Sequence, residues 1–367
     1  MIPYGKQKID ADDIKAVEVV LQSDWLTQGP AVTDFETNLK EVTGASYAIA
    51  VSSGTSALHL AYSAIGLLPG DEVITTPNTF VATTNMLLVM GVVPVFCDIS
   101  LDTHNLDETK IESLITPKTK AIVAVDFSGR PCAYDVLRVI ATKYKLHLID
   151  DAAHALGAMY QDKPIGSIAD ITTLSFHPVK PITTGEGGAV LTNNESFYRR
   201  MLLLRSHGVQ KNEAGMNVMT ELGFNYRLPD VLAALGSSQL TKLDSFIEKR
   251  REVARWYEVA LATCDDIVRP LPSKESGWHI YVIRVKNPVD RKPLYDYLIE
   301  NGIGANFHYP AVYAHPYYRK NGYADTTLMN MEIYQNTCIT LPCHVHLTEE
   351  QIVFISATIK EFFSGQA

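Results

Sequence analysis

Seven short apolar runs, separated by stretches with helical periodicity, restrict this chain more than any other feature of its sequence. The runs are YAIAVSS (47–53), DEVITTP (71–77), VVPVFCDI (92–99), KAIVAVDF (120–127), LHLID (146–150), ITTLSF (171–176) and GAVLTN (188–193). They are nearly continuous in apolar residues rather than alternating, which is how strands buried on both faces read. Helical stretches at 56–67, 78–91 and 133–145 lie between them. The pattern predicts an α/β fold with a seven-stranded, mostly parallel sheet and helices on both faces. After Leu228 the pattern changes to a long helical segment (228–262), then strand 279–285, helix 291–302, strand 304–310 and helix 348–363. This reads as a large cofactor-binding α/β domain over residues 1–245 and a smaller α+β domain over 246–367.

Composition narrows the function. A net charge of −9 argues against nucleic acid as a partner, because counterion release requires a basic face. No window is long and apolar enough for a membrane span, and residues 1–13 lack the apolar core of a signal peptide, so a cytoplasmic enzyme is expected. Five scattered cysteines without a CxxC pair read as free thiols. Cys338, Cys343, His344 and His346 cluster near one strand, but a buried strand with incidental side chains is the favoured reading, and no metal is expected. No GxGxxG follows the first strand, which removes the dinucleotide-binding reading.

In open α/β sheets ligands sit beyond the carboxyl ends of the strands, so the polar residues following each run are the candidates. Three stand out. SSGTSA (52–57) passes through Gly54 into a helix, where Thr55 and Ser56 offer hydroxyls and N–H groups to an anion. LHLIDD ends in Asp150 and Asp151, a costly placement unless something cationic meets them. ITTLSF is followed by His177-Pro178-Val179-Lys180 and a glycine-rich return, leaving one lysine between two buried strands. Lysine forms Schiff bases with aldehydes and anchors pyridoxal phosphate. One ligand fits all three places: its phosphate at Gly54, Thr55 and Ser175, its ring nitrogen at Asp151 and its aldehyde at Lys180. Phe80 is a candidate to stack on the ring, and His154 to pack against it or bond its phenolic oxygen, each with a core role as the alternative.

These residues resemble the sugar-nucleotide aminotransferases of the DegT/StrS group, of pyridoxal-phosphate fold type I. The resemblance runs through SDWLTQGP (23–30), SSGTSALHLA (52–61), TFVAT (79–83), DDAAHALGA (150–158), SFHPVK (175–180), TTGEGGAVLT (183–192), RSHG (205–208), GFNYRL (223–228) and HYPAVY (308–313). It implies Lys180 as the Schiff-base lysine, Asp151 on the pyridine nitrogen, and Ser175 with the Gly54-Thr55 turn on phosphate. It further implies that Asn225 reaches the neighbouring subunit's cofactor, making a homodimer with shared active sites. Thr27, His308, Tyr309 and Tyr313 are implied in the sugar site. Within the group the chain is most similar to the 4-aminotransferases of pseudaminic acid biosynthesis, through FVATTNMLLVMGVVPVF (80–96), SFHPVKPITTGEGGA (175–189) and LPCH (341–344). That likeness implies a UDP-linked 4-keto-6-deoxy amino sugar as acceptor and L-glutamate, leaving as 2-oxoglutarate, as donor. Asp150, where relatives often carry Glu, and Gly185, where a small non-glycine residue is expected, leave room for a dTDP- or GDP-linked keto sugar. A non-catalytic regulatory protein of the same fold would need neither Lys180 nor Asp151.

Overall fold

The computed structural model describes residues 1–365. All seven apolar runs form strands: β1 Tyr47–Val51, β2 Glu72–Thr75, β3 Val93–Phe96, β4 Thr119–Val125, β5 His147–Asp151, β6 Ile171–Ser175 and β7 Gly188–Thr192. They make one sheet in the order β1-β7-β6-β5-β4-β2-β3. The pairs β2–β3, β2–β4, β4–β5 and β5–β6 are parallel, whereas β7 is antiparallel to both β1 and β6. Helices cover both faces of the sheet, which is why Ile49, Val73, Ile122, Val123, Leu148, Ile149 and Val190 are all fully buried.

The covering helices are α1 Ala11–Leu21, α2 Pro30–Thr43, α3 Gly54–Ala64, α4 Ala82–Val89, α5 Tyr134–Tyr144 and α6 Glu195–Arg205. The segment expected as one long helix over 228–262 is two, α7 Asp230–Leu240 and α8 Leu243–Ala260. At the break, Lys242 Nζ lies 2.5 Å from Asp10 Oδ1 and 2.9 Å from Asp13 Oδ1, the two carboxylates at the start of α1. Helix α8 serves two cores: Phe246 and Ile247 pack beneath the large sheet, whereas Val253, Ala254 and Tyr257 pack in a second cluster with Ile283, Leu298 and Ile355. That second cluster covers a three-stranded antiparallel sheet of β8 Ile267–Val268, β9 Tyr281–Val285 and β10 Cys338–Leu341. Residues 304–310, expected as a strand, make only an isolated bridge between Asn306 and Thr340. The N-terminal residues also run onto this region, where Ile2 N–H donates to Gly302 O and Cys343 N–H to Tyr4 O.

The five cysteines are free and buried, and His344 and His346 each bond through Nε2 to a backbone carbonyl, of Pro3 and Gln7. Among the described residues no helix is long and apolar enough to cross a membrane.

Candidate active site

The carboxyl ends of β1, β5 and β6, the start of α4 and the segment 306–310 enclose a cleft of about 680 Å³. Gly54, Thr55, Phe80, Asp151, His154, Ser175, Lys180, His308 and Tyr309 all line it.

One end is built by α3. Ser53 caps the helix in a reciprocal box: Ser56 N–H donates to Ser53 Oγ and Ser53 N–H to Ser56 Oγ, at 3.1 and 3.0 Å. This differs from the role expected for Ser56, whose side chain is buried and turned to the cap, away from the cleft. Among the described residues, the N–H groups of Gly54 and Thr55 take no partner, and neither does the Ser175 hydroxyl beside them. Two glycines permit this approach. A Cβ at Gly54 would stand 3.0 Å from Ser175 Cβ, and one at Gly188 only 2.6 Å from the Ser53 carbonyl carbon and oxygen. Free N–H groups at the positive end of a helix, with a hydroxyl facing them, suit a phosphate-sized anion.

At the other end is Asp151. Its Oδ2 accepts from the Thr83 hydroxyl at 2.7 Å and its Oδ1 from Ala153 N–H at 3.3 Å. Thr83 Oγ1 is in turn 2.7 Å from Thr79 Oγ1, so a short hydroxyl relay orients the carboxylate. Burial pushes this carboxyl up, while Thr83, Ala153 and Lys180 draw it down. Such a group gains from a cation placed against it.

Lys180 sits in the turn after β6, its N–H donating to His177 O. Burial lowers its amine to about 8, with the nearby Asp151 opposing the shift and Arg250 adding to it. His154 forms part of the wall. Its Nδ1 accepts from Ser128 N–H, which leaves the proton on Nε2, directed at the Tyr309 hydroxyl 3.3 Å away. Burial first, and then the fields of Lys180 and His308, hold this imidazole neutral, far below its ordinary range. His308 is fixed through Nδ1 to Thr340 Oγ1 at 2.8 Å and lowered to about 4 by burial and Lys180. Phe80 stands at the cleft mouth, 59% exposed, its ring 6.2 Å from that of Tyr309.

Tyr313 and Thr27 do not line the cleft, and neither does Asn225, which is expected at the neighbouring subunit's cofactor and not at that of its own chain. Tyr313 is buried in an apolar cluster with Phe96 and Tyr318 and donates its hydroxyl to Glu332, so it does not line the cleft. Thr27 and Asn225 are exposed and lie on neighbouring segments, since Thr27 bridges Pro229 and Val51 bridges Arg227. Conversely, the cleft contains Thr83, His279 and Tyr4, which sequence reasoning did not single out. Thr83 had a signal, being one turn after Thr79 beyond a buried strand. His279 is the first residue of the run HIYVIRV, but nothing in that run marks it. Tyr4 arrives only because the N-terminus is tied to the second region.

Comparison with known proteins gives a consistent picture. The model of the DegT/DnrJ/EryC1/StrS aminotransferase family matches residues 7–360. The chain is 40% identical over 366 residues, 98% of its length and 96% of the relative's, to a UDP-4-amino-4,6-dideoxy-N-acetyl-beta-L-altrosamine transaminase of Campylobacter jejuni. Among solved structures it is similar to Helicobacter pylori PseC, an aminotransferase of pseudaminic acid biosynthesis, with a TM-score of 0.96, 36% identity and 99% of each chain covered. It is also similar to a Streptococcus pneumoniae protein described as a sugar aminotransferase and solved in its PLP form, with a TM-score of 0.94, 29% identity and 99% of each chain covered.

Proposed function

The chain belongs to the DegT/DnrJ/EryC1/StrS aminotransferase family, and on that premise we propose that it moves the amino group of L-glutamate to the C4 keto carbon of a UDP-linked 4-keto-6-deoxy amino sugar, using pyridoxal phosphate. One observation carries the reading: the free N–H groups of Gly54 and Thr55, the carboxylate of Asp151 and the amine of Lys180 converge on one cleft. The residues fit the cofactor, because the anion cradle, the buried carboxylate and the lysine are three separate complements to its phosphate, ring nitrogen and aldehyde. When bound, the cofactor supplies an aldehyde that an amine can hold and a ring that accepts electrons.

The chain's own residues do the rest. Gly54, Thr55 and Ser175 hold the phosphate through N–H and O–H donors, aided by the α3 dipole. Asp151, oriented by Thr83, holds a proton on the ring nitrogen by charge attraction. Lys180 Nζ would hold the cofactor, and its amine, when free, is placed to take up the proton lost from the substrate Cα and carry it as an ammonium. Phe80, His154 and Tyr309 flank the reacting centre, and His308 contributes to the sugar site.

The lowered amine makes a direct prediction. Only the neutral form of Lys180 is nucleophilic, so the rate of capture of pyridoxal phosphate by the apoprotein rises with pH and levels off above about 8. Stopped-flow absorbance across pH 6–11 measures this. A rise continuing to the usual lysine range would show that Lys180 is not perturbed.

The reading includes a homodimer in which Asn225 of each chain completes the neighbour's phosphate site. Its support is that Asn225 is exposed, on a segment adjoining residues 25–27, where Trp25 and Leu26 present exposed apolar side chains.

The test of the whole reading is the visible spectrum of the cofactor-loaded protein. L-glutamate alone converts the bound cofactor to its amine form, and the UDP-linked keto sugar then restores the starting spectrum. No change with glutamate removes the donor, and restoration by another keto sugar nucleotide, with none by the UDP form, removes the acceptor.

A further inference from the structure

The two aspartates that close β5 are not treated alike. Asp151 has the Thr83 hydroxyl and the nearby Lys180, but Asp150 is fully buried and meets no cation. Its Oδ2 accepts only a long bond from Thr172 Oγ1, at 3.4 Å, and its Oδ1 has no partner. Asp126, the first residue after β4, is equally buried. Its Oδ1 accepts from Cys132 N–H at 2.8 Å and from the Tyr134 hydroxyl at 2.9 Å, and its Oδ2 has no partner. The strand register sets Ala124 beside Asp150, and Asp126 N–H donates to Asp151 O, so both carboxyls hang from adjacent strand ends. The Tyr134 hydroxyl lies against both.

Two carboxylates in a dry site with no cation cannot both ionise, and each of the two orphaned oxygens is costly. A single proton removes both difficulties: one carboxyl, protonated, donates to the free oxygen of the other. We propose that Asp126 and Asp150 share one proton and form a single buried negative charge immediately behind Asp151. Burial pushes both carboxyls up, Asp126 to about 7, and the Asp126 carboxylate raises Asp150 further. The pair strengthens Asp151 as a base toward the ring nitrogen. That use rests on the assignment of Asp151 above, whereas the shared proton does not.

The test separates the two. Infrared spectra of the apoprotein, labelled with 13C at aspartate carboxyls and recorded at pH 7 in H2O and D2O, show a protonated-carboxyl band in the wild type. Asp126→Asn and Asp150→Asn each lose it, because the amide NH2 supplies the donor and the remaining carboxylate ionises. A wild type without the band overturns the pairing, and so does a band that survives in both variants, since it then belongs to another carboxyl. The charge is tested with the double variant D126N/D150N, which is neutral where each single variant keeps one charge. Its glutamate half-reaction is expected to run about tenfold slower than that of either single variant, the effect of one pKa unit at the ring nitrogen. Equal rates would remove the charge from the mechanism while leaving the infrared result intact.

Discussion

Lys180→Ala slows the glutamate half-reaction by at least ~10⁴-fold while its circular dichroism and elution volume stay those of the wild type. Positioned proton transfer alone contributes about 10²–10⁴-fold, and the substitution also removes the amine proposed to hold the cofactor. Fold integrity is expected because Lys180 belongs to none of the apolar clusters and contributes a turn, not a core side chain. A buried amine lowered to about 8 is already partly neutral near pH 7, so the wild type starts from an available base. Single-turnover stopped-flow with L-glutamate measures the loss, and added methylamine restores part of the proton-transfer rate in the variant. A Lys180→Ala protein that keeps the wild-type rate sinks the assignment.

Asp151→Asn is the second large effect, and it separates chemistry from binding. The amide is isosteric and can still accept from the Thr83 hydroxyl, so the relay from Thr79 persists. What disappears is the charge. An adjacent carboxylate shifts a partner's pKa by roughly 1–3 units, so loss of the charge leaves the ring nitrogen largely unprotonated and a weaker electron sink. Cα deprotonation is expected to fall about a hundredfold, two units at about 1.4 kcal/mol each. Cofactor retention is expected to change less, because the phosphate cradle proposed at the start of α3 does not depend on Asp151. Equilibrium dialysis of the cofactor and the primary isotope effect with Cα-deuterated glutamate test the two halves. Equal rates would take Asp151 out of the chemistry.

Much of this was legible in the sequence because it depends on local pattern. The strands of the large sheet are buried on both faces, so their apolar runs are continuous, and all seven appear where those runs lie. The same strands end at Val51, Asp151 and Ser175, which made the anion cradle and Asp151 findable from spacing. Helices α1 and α2 passed unread although their end signals were present: a capping box between Asp10 and Asp13, and Pro30 and Gly44 bracketing α2. In α1 only Asp13 is buried, so no apolar stripe announced it. Residues 304–310 carry strand-like composition, yet their work is to line the cleft, and Asn306 alone pairs. Tyr4 and His279 belong to the cleft through contacts between segments far apart in the chain, which no local pattern encodes.

The order of strands in the sheet also sets a timetable for biogenesis. Strand β1 emerges first from the ribosome, yet its only partner in the sheet is β7, with Tyr47 opposite Thr192. At translation rates of about 5–20 residues per second, β1 waits on the order of ten seconds as an unpaired apolar strand. The start of α3 waits as long, because its cradle closes only against Ser175 and Gly188. The cofactor therefore cannot act as a folding template for the nascent chain. During that interval β1 is a strand a chaperone would have reason to hold, and the cofactor stabilises only a domain that has already closed.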